Sequence, residues 1–176
     1  MRVLKYAILG LLNRHPMTGY DISKEFDRDL MNFWHAKHSQ IYPELKRLTE
    51  EGLIKYEVQI SGEVLEKKVY SITKEGITDL AQWLLIAEEL EPTPKDVFRL
   101  RMYFSENMNQ KQLKALIKDQ YEKRFAKYQF LKQRLDEYSH EPLIGSVEFG
   151  DYMVLLSAIM RENAYLDWLK ICLSKL

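Results

Sequence analysis

The sequence predicts a mainly α-helical chain. A winged helix-turn-helix of three helices, a two-stranded wing and a fourth helix comes first, and an all-helical C-terminal half follows. Three observations carry this prediction. In HSQIYPELKRL, Ile41, Leu45 and Leu48 recur at i, i+4, i+7, one apolar face of a short helix that Gly52 can close. Two runs rich in β-branched and aromatic residues, 54–60 and 67–72, follow directly, separated by Ser61-Gly62 and by glutamates, which is a hairpin pattern. After the joint EELEPTP at 88–94, with its two prolines, every remaining stretch reads as helix or short loop.

Taken in order, Val3, Leu4, Ala7, Ile8, Leu11 and Leu12 form a helical stripe ending near Asn13, and Pro16 blocks its continuation. Thr18 with Asp21 three residues on makes a capping-box pattern, opening a second helix from about Gly19 to Leu30. Gly19, just inside it, points to a close approach by a neighbouring backbone. The third helix has its first turn near Ser39–Pro43, since a proline is tolerated only near a helix start. Thr73 caps a fourth helix with Ile77, Leu80, Ala81, Leu84 and Leu85 expected inside. Beyond the joint come a short helix at 96–104, a long one at 109–138 with apolar residues near a 3.5-residue spacing, a loop at 139–146 and a last helix at 149–176. The last helix is apolar on more than one face, so a partner chain is inferred to cover it. These readings divide the chain into a winged-helix domain, 1–90, and a helical dimerisation domain, 91–176.

Composition narrows the function. The chain has 26 basic and 26 acidic side chains among 176 residues, so only a local basic stripe, not the net charge, can serve nucleic acid. Cys172 stands alone and forms no internal disulfide, which fits a reduced cytoplasm. The opening MRVLKY does not begin a signal peptide, and no apolar run reaches the roughly 18 residues of a membrane span. No glycine-rich phosphate loop, nucleophile motif or distinctive carboxylate pair is present, so no enzyme and no cofactor are expected. His35 and His38 share a helical face at a spacing that suits a metal, but no Cys, Asp or Glu stands nearby at ligand spacing, and no metal site is expected.

A recognition helix meets DNA with its N-terminal residues. Ser39, Gln40 and Tyr42 lie at that end, and Gln40 can read an adenine edge while Ser39 and Tyr42 suit phosphate or base contacts. Lys46 and Arg47, one turn further, suit the sugar-phosphate backbone, and Lys67 and Lys68 stand where the wing returns. Each also has a plain reading as a cap or a solvated charge. Arg161-Glu162 interrupts the apolar last helix, either as an interface ion pair or as an arginine facing a ligand carboxylate.

MRVLKYAILGLL, TGYDI, FWHAKHSQIYPELKRL, EGLI and LEKKVYSIT together resemble the PadR family of bacterial transcription regulators along the whole chain, and especially its phenolic-acid-responsive branch. The resemblance implies a homodimer that swaps its C-terminal helices, a palindromic double-stranded operator, and a repressor released by phenolic acids. For such an aromatic acid, Trp34 and His35 on the DNA-binding side and Tyr103, Tyr152, Met153 and Arg161 on the core side are the candidate contacts. Two other readings stay open: a dimeric winged-helix scaffold that binds protein, and a regulator of the same family with a different hydrophobic effector.

Overall fold

A computed structural model describes residues 2–28, 34, 38–61, 65–90 and 92–176. The chain forms two compact units, Met1–Glu89 and Leu90–Leu176. In the first, the elements are α1 (Val3–Arg14), β1 (Met17–Thr18), α2 (Gly19–Arg28), α3 (His38–Glu50), β2 (Ile54–Ser61), β3 (Leu65–Ile72) and α4 (Lys74–Leu84). The second has α5 (Val97–Tyr103), a 3-10 turn (Ser105–Asn107), α6 (Gln110–Asp136) and α7 (Val147–Ser174). Among the described residues no helix is long and apolar enough to cross a membrane.

In the winged-helix unit, Ile8, Leu9, Ile22, Ile41, Leu45 and Leu48 are wholly buried in one core, so α1, α2 and α3 each give it one stripe. Each such aliphatic side chain contributes about 1.5–3 kcal/mol on burial. Helix starts follow local chemistry. The Thr18 hydroxyl accepts from the Asp21 amide at 3.1 Å while the Asp21 carboxylate accepts from the Thr18 amide and hydroxyl. Thr73 caps α4 by accepting from the Gly76 amide. At the end of α3, Gly52 takes a φ of +72°, and its amide bonds the Thr49 carbonyl while the Leu53 amide bonds that of Leu48. That pair of bonds is a Schellman stop.

Several expectations are corrected. Arg14 still belongs to α1, and Met17 forms with Thr18 a third strand, pairing antiparallel with Tyr70 and Val69 in the order β1-β3-β2. The wing strands pair from Ile54↔Ile72 to Ser61↔Leu65, so Leu65 and Glu66 are strand; 62–64 lie outside the described residues. What approaches Gly19 is a side chain: a Cβ there would sit 2.7 Å from Cε1 of the Tyr42 ring. The close backbone approach occurs at Gly76, where a Cβ would lie 2.2 Å from the Leu53 carbonyl oxygen. The inner face of α4 is Gly76, Leu80 and Trp83, with Trp83 stacked on Tyr6 at 4.5 Å, while Ile77, Ala81, Leu84 and Leu85 face outward. The described part of α2 ends at Arg28, and 29–30 lie outside the described residues.

In the helical unit, α6 starts with a reciprocal Asn109–Gln112 capping box and lies along α7. Two apolar clusters join them. Ile117 with Phe98, Tyr165 and Leu169 forms one, and Leu131 with Leu155, Ala158 and Ile159 the other. Even after this packing, α7 leaves Met153, Met160 and Ile171 exposed, so its second apolar face is uncovered within one chain.

Candidate nucleic-acid interface

The burial of Ile41, Leu45 and Leu48 turns the opposite face of α3 outward. Ser39, Gln40, Lys46 and Arg47 are exposed, and Tyr42 is 55% exposed. Pro43 is the sixth residue of the helix, later than a first turn, and has no N–H to offer the Ser39 carbonyl. Tyr42 is seated on the bare backbone of Gly19, which fixes the ring against the start of α2. Lys46 makes only a loose exposed pair with Glu50 at 3.8 Å, so its charge stays available to solvent.

Two carboxylates near the same helix, Glu44 and Glu51, are held from behind. Arg2 donates to the largely buried Glu44, 2.7 Å away, and to Glu51 just beyond the helix end. The two carboxylates raise the Arg2 guanidinium pKa, with the Glu51 hydrogen bond first, and Arg2 in turn holds the Glu51 carboxyl below its usual range against burial. Lys5 pairs in the same way with Asp79 of α4. These bonds clamp α1 to α3 and α4, and they leave Lys46 and Arg47 as the cations on the outer face of α3.

The wing lysines do not act as a pair. Neighbouring strand residues point to opposite faces. Lys68 lies with its Nζ 4.2 Å from the Tyr56 ring centroid, on the face that carries Val58 and Ile60. Lys67 faces the other way, and its charge helps lower the Asp21 carboxyl at the start of α2, after the Thr18 hydroxyl and against burial. Lys67 and Tyr42 therefore flank the same helix start, together with the exposed Lys24. Sequence reasoning passed over Lys24; its i+3 place after Asp21 was the available signal.

The effector candidates are more scattered. Trp34 is half-buried on the core of the winged-helix unit, and His35 lies outside the described residues, which also leaves the two-histidine metal reading there. Among the described residues no group of three metal-ligating side chains forms. Tyr103 is 80% exposed on α5, by the first cluster of the helical unit, whereas Tyr152 packs edge-on against Tyr138 by the second. Met153 and Arg161 are exposed on α7. Among the described candidates of the helical unit, Tyr103 lies on α5 and Tyr152 by the second cluster, and the two are not brought together. A cleft of about 410 Å³ does lie beside Tyr138, but Glu137 and Glu148 line it, which disfavours a carboxylate ligand.

The charge buried in α7 is Glu162, fully inaccessible, and not Arg161. It takes two hydrogen bonds from Arg124 of α6, at 2.9 and 3.2 Å, with Lys127 3.5 Å away. Arg124 also spreads over the Tyr165 ring, 4.0 Å from its centroid, and Tyr165 donates to Asp96 at 2.8 Å. Burial alone lowers the Arg124 guanidinium, but its bond to Glu162 leaves it raised. Burial and the Asp96 bond raise the Tyr165 phenol.

Residues 8–82 match the Transcriptional regulator PadR-like family, and residues 94–176 match the Virulence activator alpha C-term family. The Negative transcriptional regulator PadR of Bacillus subtilis is 46% identical over 173 residues, covering 97% of this chain and 95% of its own. Two solved structures of Bacillus subtilis PadR are also similar. One, in complex with operator DNA, has a TM-score of 0.94 at 43% identity, covering 99% of each chain. The other, in complex with p-coumaric acid, has a TM-score of 0.87 at 41% identity, covering 99% of this chain and 98% of that one.

Proposed function

The chain belongs to the PadR-like family of transcriptional regulators, and on that footing we propose that it is a cytoplasmic, dimeric repressor of a palindromic operator. Membership makes it a transcriptional regulator and not an enzyme. The observation that carries the reading is the geometry of α3: one face wholly buried by Ile41, Leu45 and Leu48, the other presenting Ser39, Gln40, Tyr42, Lys46 and Arg47. The N-terminal residues of such a helix reach base edges, and its later cations meet phosphates. The operator complex of the Bacillus subtilis relative supports the same role. Lys67 and Lys68 add contacts from opposite faces of the wing, and the uncovered Met153, Met160 and Ile171 face of α7 takes the second subunit.

The effector we propose is a small phenolic acid, a class supported by the p-coumaric acid complex of the relative. Trp34, His35, Tyr103, Tyr152, Met153 and Arg161 are its proposed contacts, drawn from the partner subunit as well as from one chain. Release requires that the ligand prefer the dimer geometry that no longer fits the two half-sites. Gel-shift titration of the protein on DNA upstream of its own gene tests both parts. Gln40→Ala is expected to relax base preference at one position per half-site at a cost of about 1–3 kcal/mol, and Lys46→Ala to weaken all sequences alike with a flatter salt dependence. Unchanged affinity and salt slope in both variants refute the interface. Release by coumaric and ferulic acids, but not by an aliphatic acid, supports the effector; no release at millimolar concentration removes it and leaves the DNA reading standing.

A further inference from the structure

The helical unit carries a polar network that the interface above does not use, and it sits where the chain enters that unit. Asp96 is the second residue after the joint and the N-cap of α5, accepting from the Arg99 amide at 3.0 Å. Its other oxygen accepts from Tyr165 of α7 at 2.8 Å and lies 3.9 Å from Arg124 of α6. Arg124 is in turn fixed by the buried Glu162, one turn before Tyr165 on the same face of α7. One carboxylate thus ties the start of α5 to both long helices. A buried ion pair stabilises weakly but tolerates a single register, since any slip leaves a charge unpaired out of water. Phe98, buried two residues later against Tyr165 and Trp168, holds α5 down from its apolar side.

The segment before Asp96 is short and carries Pro92 and Pro94. Proline fixes φ and stiffens a linker toward an extended form, so a direction set at Asp96 persists through those residues. Resting on the reading of the chain as a dimeric operator binder, we propose that Asp96, Tyr165, Arg124 and Glu162 form a latch that fixes the direction in which the linker leaves the helical unit. The latch thereby sets the half-site spacing that the dimer accepts. These are positioning residues, acting on DNA only through the linker.

The test uses the full chain and the palindromic duplex that it selects from a randomised pool. Affinities are measured for that duplex, for versions with one base pair inserted or removed between the half-sites, and for a single half-site. The parent is expected to reject altered spacing by roughly tenfold or more, because half-sites must stay in register with two fixed helices. Tyr165→Phe removes only the hydroxyl, and Asp96→Ala the acceptor. Both are expected to bring that ratio down to about threefold or less, with half-site affinity and sedimentation as in the parent. Asp96→Asn keeps one oxygen for the Arg99 amide but puts an amide nitrogen, a donor, where the other oxygen faced the Tyr165 hydroxyl and Arg124, so it is expected to lower the ratio as Asp96→Ala does. Parental spacing preference in Tyr165→Phe overturns the latch, and so does an equal loss on single half-sites, or a monomer. Tyr165→Phe decides alone if Asp96→Ala does not fold. A parent that selects no palindrome refutes the DNA reading itself, and the latch with it.

Discussion

Two glycine-to-alanine substitutions separate the interface from the fold. At Gly19 the added methyl would lie 2.7 Å from Cε1 and 3.3 Å from Cζ of Tyr42, with Leu45 Cδ1 at 3.4 Å. What must give is the far end of a half-exposed ring, which can rotate into solvent. An off-rotamer ring costs about 0.5–1.5 kcal/mol, and alanine returns up to about 1 kcal/mol of helix propensity over glycine. Stability of the winged-helix unit is therefore expected to change by less than about 1 kcal/mol, a shift of no more than about 4–8 °C in Tm. Operator affinity is expected to fall much further, by about 1–3 kcal/mol, as Tyr42 leaves its place. At Gly76 the methyl would meet the Leu53 carbonyl oxygen at 2.2 Å, and backbone cannot rotate aside. Gly76→Ala is expected to cost about 3 kcal/mol or more, at or beyond the top of the overpacking range. Thermal unfolding followed by circular dichroism and anisotropy titration on one operator at fixed salt measure both quantities. The double variant Gly19→Ala/Tyr42→Ala closes the cycle: if displacement of Tyr42 is the whole cause, it binds no worse than Tyr42→Ala alone. Additive losses, or a Gly19→Ala protein with parental affinity, refute the reasoning.

Other outcomes follow from the helical unit. Glu162→Ala leaves Arg124 facing a buried gap and is expected to cost about 3 kcal/mol, the low end for a broken buried pair because Arg124 is partly exposed and Asp96 is near; chemical denaturation checks it. Burial acts to raise the Asp96 carboxyl, but the Arg99 amide and the Tyr165 hydroxyl outweigh it, and the group lies below its ordinary value of 3.8. A depressed carboxyl gives stability that is fully present above its unfolded pKa and is lost as pH falls through the folded one, so the helical unit is expected to weaken in acid below about pH 4. Asp96→Asn flattens that limb of a melting-temperature profile against pH, and an unchanged limb counts against the assignment. Met160, 64% exposed in one chain, is expected to lie in the dimer interface. Met160→Asp should then sediment as a monomer at micromolar concentration, and a stable dimer would move the interface elsewhere.

The parts of the fold that could be read from the residues are those decided locally. The Thr18–Asp21 box, the Thr73 cap and the Gly52 stop involve partners within five residues, and α3 shows its period within two turns. The parts that escaped depend on distant chain. A two-residue strand at Met17–Thr18 has no period of its own and exists because β3 offers an open edge. In KEGITDLAQWLLI, Gly76-Leu80-Trp83 and Ile77-Ala81-Leu84 are both helical stripes, and the sequence favours the second as the more apolar. Tyr6, stacking on Trp83, selects the first, and the Leu53 carbonyl demands a glycine at 76.

The candidate site divides along the same line. That Ser39, Gln40, Lys46 and Arg47 share an outward face follows from the helix period alone, whereas the seat of Tyr42 on Gly19 needs the packing of α2 on α3. That Lys67 and Lys68 part to opposite faces also follows from a strand period of two. Residue type leaves open whether the Arg161-Glu162 step serves an ion pair or a ligand carboxylate, and it does not say which of the two is buried. Position says which is buried. In α6 the apolar series 117, 121, 128, 131, 135 skips the step at 124, where an arginine stands, and in α7 the one acid of an apolar stretch is 162. A cation standing in one apolar seam and an anion standing in the other are halves of one buried pair, visible only when both periods are laid side by side. A charge standing in an apolar period is thus evidence about the helix opposite before it is evidence about a ligand.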